Sequence, residues 1–130
     1  MFRECELLTD APELPATTLA QSCYASMFYK CTSLTGVPSE LPAAEVLQQS
    51  YNNMFGLCSS LIIPPIIRAE RMNGQRNFYS MFNGCTSLTD APILSATTLA
   101  QYCYYYMFEG CTSLTGAPEL PATTLATNRS

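Results

Sequence analysis

Residues 81–126 read MFNGCTSLTDAPILSATTLAQYCYYYMFEGCTSLTGAPELPATTLA, one phrase written almost twice at a spacing of 26 residues. Self-similarity at a period of roughly 20–50 residues marks an array, in which each unit buries its apolar face against its neighbours. Working outward, and taking Met-Phe as the start of the phrase, five units open at Met1, Met27, Met54, Met81 and Met107. Four columns run through all five. They are Phe2, Phe28, Phe55, Phe82 and Phe108; Cys5, Cys31, Cys58, Cys85 and Cys111; Leu8, Leu34, Leu61, Leu88 and Leu114; and Pro12, Pro38, Pro65, Pro92 and Pro118. The chain therefore reads as a single repeat domain over 1–130, with units 1–26, 27–53, 54–80, 81–106 and 107–130.

Each unit divides in two. Cys-x-x-Leu-x-x-Ala-Pro, as in Cys85, Leu88, Ala91 and Pro92, is too short and too proline-marked for a helix; it fits a short strand ended by proline, which cannot donate to a ladder. The second part opens at Ala-Thr-Thr (16–18 and 96–98), where threonine can cap a helix by accepting from an open backbone N–H. Two i, i+4 rows follow, Leu19, Cys23, Met27 beside Ala20, Tyr24, Phe28, and again Leu99, Cys103, Met107 beside Ala100, Tyr104, Phe108. Adjacent rows of this kind form the apolar stripe of a helix lying on a core. The expected fold class is an α/β solenoid: a right-handed coil of five repeats of 26–27 residues, with short parallel strands on one face and short helices on the other.

The repeated Met-Phe-x-Gly-Cys-Thr-Ser-Leu-Thr, followed by Ala-Pro-x-Leu-Pro-Ala-Thr-Thr-Leu-Ala and Cys-Tyr, resembles the BspA-like leucine-rich repeats of bacterial surface proteins. The Met-Phe pair is also similar to the short repeats of mycoplasma-type surface lipoproteins. The resemblance spans the chain, closest in units 1, 4 and 5, looser in unit 2 and poorest after Pro65. It implies a leucine-rich-repeat coil used for adhesion and protein binding, usually exported.

Composition narrows the function classes. Only 12% of residues are charged and 48% are apolar, which argues against disorder. A net charge of −4 disfavours direct nucleic-acid binding, which needs a basic face, and disfavours anionic membrane surfaces. The longest apolar run, Leu61 to Ile67, carries two prolines and is far too short for a membrane span. The opening MFRECELLTD has no apolar h-region and no cleavage site, so the reading expects no secretory signal and a cytoplasmic location. Because Met1 stands at the motif Met, the chain can equally be an inner piece of a longer array, with the cell surface or secretion as the alternative.

Chemistry finds little purchase. Histidine is absent, which removes the usual general base and the commonest metal ligand, and the ten acids are scattered rather than paired. No enzyme activity, metal or cofactor is expected. Of the seven cysteines none falls in Cys-x-x-Cys, and the column cysteines read as buried, reduced thiols, as do Cys23 and Cys103 on the helix stripe.

Candidate partner-binding residues are those that vary between units. After the column Leu the series runs Asp10, Gly36, Ile63, Asp90, Gly116; past the Pro it runs Glu13, Ser39, Ile66, Ile93, Glu119. On a strand face this places an apolar centre (Ile63, Ile66, Ile93) inside acidic ends, the layout of a protein interface. Unit 3 departs most after Pro65. Asn73 and Gly74 turn the chain where the other units start a helix, and Arg68, Arg71 and Arg76 hold half the basic residues. That stretch is either a solvated loop or a binding protrusion. Tyr102, Tyr105 and Tyr106 extend an aromatic cluster suited to an interface or a sugar. The leading expectation is a non-enzymatic protein-binding module acting through the strand face and unit 3. The alternatives are an acidic intracellular inhibitor of a nucleic-acid enzyme, phage- or mobile-element-encoded, and a carbohydrate-binding adhesin fragment. Apolar ends of the stack also raise end-to-end self-association.

Overall fold

A phenylalanine at the same place in each unit lets every ring lie on the ring of the unit before it. In the computed structural model Phe2, Phe28, Phe55, Phe82 and Phe108 stack in one ladder, with centroids 5.5, 5.5, 5.6 and 6.0 Å apart and planes within 9° of parallel. Tyr24, Tyr51, Phe78 and Tyr104 form a second ladder beside it, at 6.0, 5.3 and 5.7 Å. Ring pairs of this kind are worth about 0.5–1.5 kcal/mol each beyond the area they bury. The structure describes residues 2–17, 19–94, 96 and 103–116. Met1, the capping Thr18, Thr97 and Thr98, the stripe residues Leu99 and Ala100, and Tyr102, Pro118 and Glu119 lie outside them.

The cysteine column forms a third ladder. Cys31 Sγ donates to the Phe2 carbonyl at 2.9 Å, and Cys58, Cys85 and Cys111 donate to Phe28, Phe55 and Phe82 at 3.1 Å. Each thiol thus ties one unit to the backbone of the unit before. Cys31, Cys58, Cys85 and Cys103 are buried and Cys111 half-buried, whereas Cys5 and Cys23 are exposed. Cys5 has no earlier unit among the described residues to cover it, and neither has Cys23, whose counterparts Ser50, Asn77 and Cys103 in the later units are buried.

The stretch read as a helix takes another conformation. Among the described residues there is no helix. From 21 to 30 the backbone is a run of overlapping turns. Cys23, Ala25, Met27, Tyr29 and Cys31 donate to the carbonyl three residues back, while Ser22, Tyr24, Ser26, Phe28 and Lys30 donate to Gln48, Ser50, Asn52, Met54 and Gly56 of the next unit. Every second N–H therefore leaves the unit, which a helix forbids. Ser22, Ser26 and Lys30 have φ of 58°, 56° and 60°, and Gln49, Asn53 and Leu57 repeat the pattern. A left-handed residue at every fourth position breaks any right-handed helix. It also returns the same two side chains inward every four residues, so Ser50 and Tyr51, then Met54 and Phe55, are buried. That is the source of the i, i+4 rows.

Both strand pairs lie after the proline, and an isolated bridge lies before it. Strand β1 (Glu40–Leu41) pairs in parallel with β3 (Ile66–Ile67), and β2 (Glu45–Val46) with β4 (Arg71–Met72); Asp10 and Gly36 form an isolated parallel bridge. Leu41, Ile67 and Leu94 stand in one buried column and Ala43, Ala69 and Ala96 in another. The column prolines Pro38, Pro65 and Pro92 are buried as well.

From Ile66 to Asn73 unit 3 keeps this register. Arg68, Glu70, Arg71 and Asn73 donate their N–H groups to Leu41, Ala44, Ala44 and Val46 of unit 2 at 2.8–3.1 Å. The offset between partners is 26 at Val46↔Met72 and 27 where Tyr51 meets Phe78, so one extra residue is absorbed in between. Gly74 absorbs it. Its φ is +98°, and a Cβ there would meet Gln48 backbone atoms at 2.9 Å.

Candidate binding surface

Exposed isoleucines need an explanation, because a folded chain normally turns β-branched apolar residues inward. Ile63, Ile66 and Ile93 are 61%, 53% and 77% exposed. Ile66 and Ile93 sit at corresponding places in adjacent units, Ile63 stands in unit 3 where unit 4 carries Asp90, and with Pro64, Pro65 and Pro92 the three line a shallow groove of about 200 Å³. The prolines supply its floor and remove N–H donors that would otherwise need partners. Among the described residues Asp90 is the one charged residue lining it, so four of the sequence-derived candidates, Ile63, Ile66, Asp90 and Ile93, line one groove.

The other candidates are placed differently. Glu13 is tied to unit 2: its carboxylate accepts from the Ser39 N–H at 3.0 and 3.2 Å and from Ser39 Oγ at 3.0 Å. Asp10 accepts from Thr9 Oγ1 at 3.3 Å and packs over Gly36. Of the arginines, Arg68 pairs with Glu40 at 2.9 Å, Arg71 with Glu45 at 3.9 Å, and Arg76 lies over the Tyr79 ring at 5.6 Å. The positive charge of unit 3 thus neutralises acids of unit 2. Such exposed pairs contribute about 0–1 kcal/mol each and steer register more than stability.

Tyr105 and Tyr106 gather around Tyr79. Tyr105 stacks on it at 5.7 Å, Tyr106 meets its edge at 5.9 Å, and the two neighbours are 4.0 Å apart. A hydrogen bond with Tyr105, followed by the charge of that same group, raises the Tyr106 phenol above its usual range. Tyr102 lies outside the described residues.

Sequence reasoning missed the prolines as groove lining and missed the acidic partners of the arginines. The signal for the second was present: Glu40/Arg68 and Glu45/Arg71 are spaced by about one repeat. Among the described residues there is no group of three metal-ligating side chains and no helix long and apolar enough to cross a membrane. Comparison of the chain with protein-family models, with curated proteins and with solved structures returns no match.

Proposed function

We propose that this chain is a leucine-rich-repeat-type solenoid that works as a non-enzymatic protein-binding module, with the Ile63–Ile66–Ile93 groove as its docking surface. The observation that carries the reading is the exposure of three isoleucines side by side on a backbone held by parallel hydrogen bonds. Water gains when such a strip is covered, at about 25 cal/mol per Å² of apolar area. Asp90 at the groove favours a partner segment that is apolar and carries a basic residue at its edge. The acidic-inhibitor reading is favoured by no observation, since Glu13, Glu40 and Glu45 are already bonded to other units.

The test is capture of a partner by the wild-type protein and by the triple variant Ile63→Ala, Ile66→Ala, Ile93→Ala, from cytosol and from extracellular matrix. The variant should lose capture by roughly tenfold or more while its circular dichroism stays native. Undiminished capture by the variant overturns the assignment.

A further inference from the structure

The dipeptide Asn-Gly occurs twice in the chain, at 73–74 and at 83–84, and the fold treats the two differently. Asn-Gly is a chemically reactive pair. The backbone nitrogen after the asparagine can attack the side-chain carbonyl carbon, and glycine has no Cβ to shield that nitrogen. The attack needs a side chain that can turn, a peptide unit that can rotate and a nitrogen with no other engagement. At 83–84 the peptide unit is fixed at both of its polar atoms. The Asn83 carbonyl accepts from the Leu57 N–H at 2.7 Å, and the Gly84 N–H donates to the Glu109 carbonyl at 2.8 Å. These bonds run to the units on either side, so rotating the peptide breaks the stack in two places at once. Asn83 is also half-buried.

At 73–74 neither the Asn73 carbonyl nor the Gly74 N–H carries a hydrogen bond among the described residues. Residues 73–76 are all exposed. The Asn73 carboxamide is held by one exposed contact, Nδ2 donating to Glu45 Oε1 at 3.2 Å, and water competes for it. The stack also dictates the second half of the dipeptide. A Cβ at 74 would meet Gln48 backbone atoms at 2.9 Å, so the place that absorbs the extra residue of unit 3 admits only glycine. The same missing Cβ leaves the Gly74 nitrogen unshielded.

We propose that Asn73 is a site of spontaneous deamidation, a modification that the folded chain undergoes at 73 and resists at 83. The Gly74 backbone nitrogen gives up its proton and bonds to Asn73 Cγ. The Cγ–Nδ2 bond then breaks, and the amide nitrogen leaves as ammonia with that proton. Water opens the resulting cyclic succinimide at either carbonyl, giving aspartate or isoaspartate; no oxidant or cofactor enters. Either product puts a carboxylate where the carboxamide had donated to Glu45. An ionised carboxylate cannot donate, so that tie between units 2 and 3 is lost. Isoaspartate also lengthens the backbone next to Gly74, where the register shift is absorbed. None of the residues of the isoleucine groove takes part.

The experiment incubates the full chain in mildly alkaline buffer, folded and in concentrated urea, and maps it by mass spectrometry over time. Trypsin cuts after Arg71, Arg76 and Arg129, so residues 72–76 and 77–129 report the two sites separately, with fragmentation locating the change at Asn83 in the longer peptide. In the folded protein Asn73 should convert about tenfold faster than Asn83 or more, because conversion at 83 waits for a local opening of the stack. In urea the two rates should converge. Asn73→Gln, which must close a larger ring, should stay intact under the same conditions. Equal rates at 73 and 83 in the folded protein, conversion of Asn73 only after unfolding, or loss of ammonia from Asn73→Gln at the wild-type rate overturns the proposal.

Discussion

At the residue scale the thiol ladder is the most testable feature. Burial pushes the Cys58 thiol up to about 12 from its ordinary 9.0; the neighbouring Cys31 adds to the rise, while the hydrogen bond to the Cys31 backbone opposes it. Burial raises Cys31, Cys85 and Cys111 in the same direction. A group whose pKa rises on folding contributes its full stability below the unfolded value and loses it as pH climbs toward the folded value. Stability should thus be level below pH 9 and fall between pH 9 and about 12, by about 1.4 kcal/mol per pH unit for Cys58, with the other ladder thiols acting in the same direction. Thermal melts across this range check it, and a melting temperature unchanged at pH 10.5 contradicts it. Thiol-labelling kinetics give a second readout. Cys5 and Cys23 should react at once in the native protein, and Cys58 and Cys85 only when it unfolds.

At the element scale the turn track depends on left-handed residues that are mostly not glycine. Glu4, Lys30, Leu57, Gly84 and Gly110 occupy one such column, with φ between 60° and 78°. A side chain there costs about 1–2 kcal/mol, and Lys30 is exposed, so it buries little to offset this. Lys30→Gly should therefore raise stability by about 0.5–1 kcal/mol after the greater unfolded-state freedom of glycine is deducted, as measured by urea unfolding. A loss of stability would show that the Lys30 side chain matters more than its backbone. Gly74→Ala should act in reverse, costing about 1–3 kcal/mol, because its φ of +98° and the close Gln48 backbone leave no room for a methyl group.

Across the whole molecule, the ladders couple each unit to the next, so damage in the middle should spread both ways. Phe55 is fully buried between Phe28 and Phe82, whereas Phe2 is half-buried at one end. Phe55→Ala should cost about 3–5 kcal/mol and Phe2→Ala clearly less. Equal losses in chemical denaturation would mean that the units fold independently of their neighbours.

Much of this could be read from the columns. Phe, Cys, Leu and Pro recur at 26–27 residues because each packs against its own kind in the neighbouring unit, and the period alone reveals that. The exposed isoleucines were legible for a related reason: Ile63 and Ile66 stand where the other units carry acids, glycine, serine or another exposed isoleucine. Local conformation was not legible. Rows at i, i+4 satisfy a helix of 3.6 residues per turn and a turn track of four equally well over eight residues. The choice was made by carbonyls 26 residues away, which take every second N–H and hold Ser22, Ser26 and Lys30 left-handed. The fate of the arginines was decided in the same way. Charge counts along the chain placed them together in unit 3, but only parallel pairing of β1 with β3 and β2 with β4 sets Arg68 against Glu40 and Arg71 against Glu45. Periodicity is a property of the chain, and the sequence carries it; the destination of each hydrogen bond belongs to the stack, and only the folded molecule has one.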